Sequence, residues 1–302
     1  MIRKVEFQSE GATLRGRMYL PPESQTPRPS IVMTHGTSAT ITMTTDRYAE
    51  VFCDAGFIVL LYDHRNFGIS DGEPRQEINP WIQARGYRDA LTFLEQVPEV
   101  DRHRLALWGD SYSGGEAMVV AATDSRVKAL VVQCPVCGLA SPPPDPTGDQ
   151  FNSIRDILFN GDVRGTPDTT AGPMPVVSFD QVRHPSLLQP VSAYRWFMEH
   201  GGRHGSGWQN DVSRVIPHTP APFSPVLCAP HIAIPTLMMV APEDEMVHAN
   251  PSVSRHAFEL LAGPKKVWHE IAGGHFGLLW YPSELFDEAA RVQRDFLVQS
   301  LG

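Results

Sequence analysis

Two serines, one histidine and a cluster of carboxylates carry the chemistry this chain could perform. The serines stand at 111 and 113 in LALWGDSYSGGEAM (residues 105–118), where an apolar run ends in a glycine and a helix-like pattern begins. A serine at the apex of a strand–turn–helix is presented as a nucleophile only if the residues two before and two after it are small, because the turn brings them together. Gly109 and Ser113 meet that condition around Ser111. Ser111 and Gly115 meet it around Ser113, but with the apex pushed two residues into the helix. The apolar run stops at Trp108, and Gly109 can take the strained conformation that leaves a strand. Ser111 is therefore the expected nucleophile, and Ser113 a tolerated substitute for glycine. The bland reading is a serine N-cap on a core helix, which the short motif alone does not exclude.

A serine hydroxyl needs a base to take its proton and an acid to hold that base. Both are found downstream, each after an apolar strand-like run. Asp244 lies in APEDEMV after TLMMV, with Glu243 and Glu245 beside it; His275 lies in AGGHFG after KKVWHEI, on what reads as a glycine-flanked loop. The chain order serine, acid, histidine suits acyl transfer on a parallel sheet. Asp244 is the expected acid, although an adjacent carboxylate could serve. The oxygen that turns negative in acyl transfer needs aimed donors. These are expected from the backbone N–H of Tyr112, directly after the nucleophile, and from the N–H of Thr37 in THGTSAT, with His35 and Gly36 shaping that loop.

The elements that must position these residues are legible as alternating strands and helices. SIVMTHG, FIVLLYD, RLALWG and VKALVVQ are continuous apolar runs. Between them lie YAEVFCDAG, NPWIQARGYRDALTFLEQV (capped by Asn79, with Pro80 first) and SGGEAMVVAA at helical spacing. Such a pattern means a parallel sheet covered on both faces. The N-terminal segment MIRKVEFQSEGATLRGRMYL alternates and reads as two strands around Gly11. From Gly138 the texture becomes proline-rich and irregular, with short helical pieces FNSIRDILFN, SAYRWFMEHGG and GWQNDVSRVI and many aromatics. Alternation resumes near Pro230 and ends in a helix from Ser283. The expected organisation is a catalytic domain of residues 1–137 and 229–302 with a lid inserted at 138–228.

The segments strand–HG, YDHRNFGISDGEPR, GDSYSGG, APEDEMV and GGHFG together resemble the α/β-hydrolase superfamily, from about residue 5 to 300 apart from the insertion. YDHRNFGISDGEPRQEINPW followed by VPEVDRHRLALWG is similar to a narrower group, the dienelactone-hydrolase-like proteins and the polyketide-transferase proteins of secondary metabolism. The resemblance implies an eight-stranded, mostly parallel sheet and the triad Ser111, Asp244, His275 with Thr37 and Tyr112 at the oxyanion. Its departures are Ser113 at the second elbow glycine and His64.

Other signals carry less. Asp63 and Asp71 read as braces of a glycine-containing loop. CPVC (134–137) has redox spacing but ends a strand, so Cys134 and Cys137 read as structural. His200 and His204 lack matching ligand partners; no metal and no cofactor are expected. Trp196, Phe197 and Trp208 are candidate substrate contacts from the lid, as is His35 from its loop, although helical aromatics also build a lid's core. Composition bounds the rest: 302 residues, 42% hydrophobic, 20% charged, net charge −9 without charge blocks, and four cysteines with no disulfide framework. Nucleic acid, anionic membrane and a signal peptide are not expected; a reducing cytoplasm is. The expectation is a serine hydrolase acting on an ester or thioester of a moderately sized, largely apolar acyl substrate, free or carrier-bound. An acyltransferase or cyclising enzyme with the same triad is the alternative.

Overall fold

The structure, a computed structural model, describes residues 1–22 and 26–302. It begins with the expected hairpin, β1 (Ile2–Ser9) and β2 (Ala12–Tyr19), turned by Glu10 and Gly11, which both have positive φ as a tight two-residue turn demands. The alternating part follows with β3 (Arg28–Met33), α1 (Thr45–Asp54), β4 (Ile58–Tyr62), the short β5 (Glu77–Ile78) and α2 (Pro80–Leu94). Next come β6 (Val100–Asp110), α3 (Ser111–Thr123) and β7 (Val127–Gln133). The irregular stretch holds α4 (Asp149–Asn160), β8 (Thr170–Met174), α5 (Val191–Gly201), β9 (Val212–Val215) and α6 (Pro225–Cys228). The chain closes with β10 (Thr236–Val240), α7 (Pro251–Leu260), β11 (Lys266–Glu270), α8 (Gly274–Gly277) and α9 (Glu284–Leu301).

Eight strands form one sheet in the order β1-β2-β4-β3-β6-β7-β10-β11, with β2 antiparallel to both its neighbours and the other pairs parallel. The apolar runs are continuous because each central strand buries both faces. Val32, Leu105, Leu107, Leu130 and Val132 enter one core with α2 and α3; Ile31, Met33, Ala106, Trp108, Ala129 and Val131 enter the other with α1 and α9. Asn79 caps α2 as its sequence predicts, its side chain accepting from the backbone of Trp81 and Ile82. No helix among the described residues is long and apolar enough to cross a membrane.

Two of the three helical readings in 138–228 hold as α4 and α5, and the stretch also contains two strands, β8 and β9. GWQNDVSRVI is not helical: Val212–Val215 forms β9, paired with β5 and β8 in a separate three-stranded sheet. Val212 and Val215 are buried and Arg214 is half-buried, so tertiary pairing overrode a weak local pattern. The small sheet also recruits Glu77–Ile78 from before the stretch, tying the two parts of the chain together.

Candidate active site

The residues singled out for chemistry gather where the parallel strands β3, β6, β10 and β11 end, the edge at which open α/β sheets place their ligands. Strand β6 runs into α3 without a loop. Asp110 ends the strand, and Ser111 starts the helix at φ +53°. A non-glycine residue there costs about 1–3 kcal/mol of backbone strain. The strain therefore sits on the serine itself, not on Gly109 as the sequence suggested. Gly109 is needed for another reason: a Cβ at that position would lie 2.4 Å from the Ser113 carbonyl oxygen.

Ser113 has a different occupation. It is fully buried, and its Oγ accepts from the Asp110 N–H at 3.0 Å and donates to the Asp110 carbonyl at 2.9 Å. The hydroxyl thus closes the turn that presents Ser111. Changing Ser113 to glycine, which restores the usual elbow pattern, is expected to destabilise the fold by about 1–2 kcal/mol in urea denaturation, because a cap-like bond is lost and chain entropy gained.

His275 does not lie on an open loop. Two glycines at positive φ, Gly273 and Gly274, lead into α8, and the imidazole is buried in that short helix. Its Nδ1 is 2.7 Å from Oδ2 of Asp244, whose other oxygen accepts from the Met246 N–H at 2.8 Å. That pairing places the ring proton on Nδ1 and leaves Nε2 as the acceptor. Burial alone would push the imidazole pKa down, but the hydrogen bond and charge of Asp244, with Glu245 and Asp110 nearby, more than offset it and hold the pKa above 6.5.

The neighbouring carboxylate has its own task. Glu245 accepts from the His275 N–H at 2.8 Å and from the Ser192 hydroxyl of α5. The Trp196 Nε1–H donates to the Leu279 carbonyl at 2.8 Å, just beyond α8. Helix α5 is therefore a buttress of the histidine segment. The sequence offers Glu245 only as an alternative acid; its bracing role, Ser192 and this role of Trp196 depend on long-range packing and carry no sequence signal.

Cys134, at φ +41° beyond β7, brings its sulfur, an Asp244 oxygen and a His275 nitrogen within 4.8 Å of one another. Burial first, then the charge of Asp244, raises the pKa of this thiol well above 9.0, so it is protonated and directed at the carboxylate. Asp244 and His275 are already bonded to each other, and a zinc site needs further ligands beside them, so the set does not suit a metal. All four cysteines are free and buried.

The loop after β3 abuts the elbow. A Cβ on Gly36 would meet Asp110 Oδ2 at 2.9 Å and Ser111 Cβ at 3.0 Å. Gly36→Ala is expected to lower kcat/KM on an activated ester by about 100-fold with the fold retained, since misplacing reacting groups by an ångström costs that much. Circular dichroism and ester hydrolysis check it. Thr37, Asp110, Ser111, His275, Trp196 and Phe197 line a pocket of about 20 Å³. Thr37, Ser111 and Tyr112 also line a second cavity of about 560 Å³ with Leu187, Leu188 and Met246. Burial pushes the Asp110 carboxyl up to about 7 against the charge of His275.

Among the candidate substrate contacts, Trp196 and Phe197 reach the small pocket, whereas Trp208 packs on Phe197 at 5.4 Å and lines none of the site cavities. His35 lies under its loop, donating from Nδ1 to the Gly36 carbonyl at 2.9 Å and accepting the His64 N–H at 3.3 Å. It braces the loop and does not line the cavities. His64 sits 3.3 Å from Glu116 in full burial, which holds the imidazole down at about 3 and the carboxyl well above its ordinary value; the pair is neutral. Asp63 braces its loop by accepting from the Ile41 and Ile69 N–H groups, each at 2.9 Å. Asp71 instead pairs with Arg15.

Residues 25–159 match the family described as serine aminopeptidase, S33. The chain is 30% identical to the thiohydrolase aneE of Aspergillus aculeatus, over 91% of this chain and 87% of that protein. It is 28% identical to the polyketide transferase claH of Penicillium crustosum, over 99% and 97% respectively. The fold superposes on the crystal structure of the α/β hydrolase GrgF from Penicillium sp. sh18 with a TM-score of 0.74, at 24% identity, over 100% of this chain and 99% of that one.

Proposed function

Because the chain belongs to the α/β-hydrolase family of enzymes, we propose that it cleaves an ester or thioester through an acyl-enzyme on Ser111. The observation that carries this reading is the strained Ser111 corner sharing a pocket with His275, whose Nδ1 is bonded to Asp244. His275 Nε2 takes the hydroxyl proton as Oγ forms its bond to the acyl carbon. The Tyr112 and Thr37 amides hold the oxygen that becomes negative. The leaving thiolate or alkoxide departs with the proton from His275, and water attacks the acyl-enzyme by the same route to release the acid.

A space of about 20 Å³ beside the serine and histidine suits one water-sized nucleophile, while the 560 Å³ cavity suits a largely apolar acyl group of moderate size. Residues 138–228 act in this reading as a lid over residues 1–137 and 229–302, its helix α5 also steadying the base. The substrate is a small molecule, presented free or on a carrier. Acyl transfer is the second reading, favoured by the polyketide transferase among the relatives and by a further cavity of about 510 Å³ that reaches Tyr112. N-acetylcysteamine thioesters of graded chain length, offered with and without acceptor alcohols, test both. Ser111-dependent release of free acid alone supports hydrolysis; a new ester supports transfer; consumption independent of Ser111, or none at any chain length, overturns the proposal.

A further inference from the structure

The 560 Å³ cavity that includes Ser111 and the 510 Å³ cavity beside the proline-rich run 217–225 share four wall residues, Tyr112, Val136, Arg214 and His248. Arg214 stands at this junction on β9, the middle strand of the small sheet, and is half-buried. Its guanidinium approaches the Tyr112 hydroxyl. Burial first, and then the Arg214 charge, holds the His248 imidazole below its ordinary value, so that neighbour adds no second positive charge at the junction.

Among the described residues no carboxylate lies within ion-pairing distance of Arg214. The acid in the cavity wall, Glu245, is committed to His275 N–H and Ser192. A half-buried guanidinium in a largely apolar cavity normally finds an anion, because its forked donors are otherwise poorly satisfied.

We propose that Arg214 is a specificity-determining residue that receives a carboxylate carried by the substrate itself, a few bonds from the scissile carbonyl. The inference rests on the reading of Ser111 as nucleophile. Tyr112 follows Ser111 in the chain and its hydroxyl end meets Arg214, so the cation lies about one tyrosine side chain from the reacting centre. A carboxylate on a moderately sized acyl chain or leaving group reaches that far. The phosphate of a pantetheine arm would lie well beyond it.

The test pairs p-nitrophenyl half-esters of dicarboxylic acids, from adipate to sebacate, with their ω-methyl esters. A second arm pairs the hexanoate esters of 4-hydroxybenzoate and methyl 4-hydroxybenzoate, which places the charge on the leaving group. The wild type is expected to favour the carboxylate over its methyl ester by about tenfold or more in kcat/KM in at least one pair, the size of one charge-assisted hydrogen-bond pair. Arg214→Lys keeps part of that ratio and Arg214→Met brings it to about one.

A wild-type ratio at or below one in every pair overturns the proposal, as does a ratio that survives Arg214→Met. Equal loss on both members of a pair in both variants assigns Arg214 a structural role and also overturns it. If no ester is turned over, the reading of Ser111 fails instead, and binding still decides this inference. Suberate is then expected to raise the Tm of wild type and of Ser111→Ala but not of Arg214→Met; no shift in any of them overturns the assignment.

Discussion

Ser111→Ala is expected to lower kcat on a p-nitrophenyl ester by about 10⁴- to 10⁶-fold with KM little changed, as loss of a covalent nucleophile does. Alanine tolerates the same backbone corner about as well as serine does, so thermal unfolding is expected to move little. Ser113 cannot replace the missing hydroxyl. Its Oγ is fully buried and bonded to the backbone N–H and carbonyl of Asp110, pointing back into the turn. Ser113→Ala should accordingly lose stability far more than activity. A double variant no slower than Ser111→Ala completes the contrast. If Ser113→Ala abolished turnover while Ser111→Ala retained it, the elbow would be misassigned.

Asp244→Asn is expected to cost about 10⁴-fold in kcat, with a displaced pH profile. The Asp244 carboxylate accepts the Nδ1 proton at 2.7 Å and so keeps Nε2 free to take a proton. An amide in its place can donate to Nδ1 and install the wrong tautomer. The general base must be neutral, so activity is present above its pKa and is lost as pH falls through it. In the wild type Asp244 holds that pKa above 6.5 against the opposing effect of burial, and the acid limb of kcat/KM should lie above that value. Without the carboxylate, burial prevails and the residual activity persists to lower pH. Glu245→Gln is the control: it leaves the Nδ1 partner in place and should cost far less. Were Glu245→Gln the more damaging of the two, the acid would be misassigned.

The sheet and the order of its site residues were legible because the pattern that encodes them is local. Runs such as FIVLLYD are apolar throughout because alternate residues enter two different cores, and the positions after their ends are where polar groups can face a crevice. The features without a local signal depend on distant partners. Val212–Val215 is a strand only because Glu77–Ile78 and Thr170–Met174 come alongside it. Glycine bears positive φ at least cost, which points to Gly109 as the strained residue of the elbow, yet the positive φ falls on Ser111 at the helix start. The glycines flanking His275 suggest a loop; they serve instead to turn the chain sharply into α8. His35 looked like a substrate contact from its place after β3, but the ring turns inward to brace the loop. Arg214 has no sequence signal of its own, because an isolated arginine in a short irregular segment is usually solvated, and only the two cavities meeting at its side chain give it meaning.

The central claim is a covalent bond at one oxygen, and trapping that bond tests it most directly. The wild-type protein, reacted with a stoichiometric fluorophosphonate and digested, should yield a single modified peptide with the added mass on Ser111, formed equally in Ser113→Ala and absent from Ser111→Ala. An adduct on another residue, or none in protein whose folding has been verified, would contradict the account.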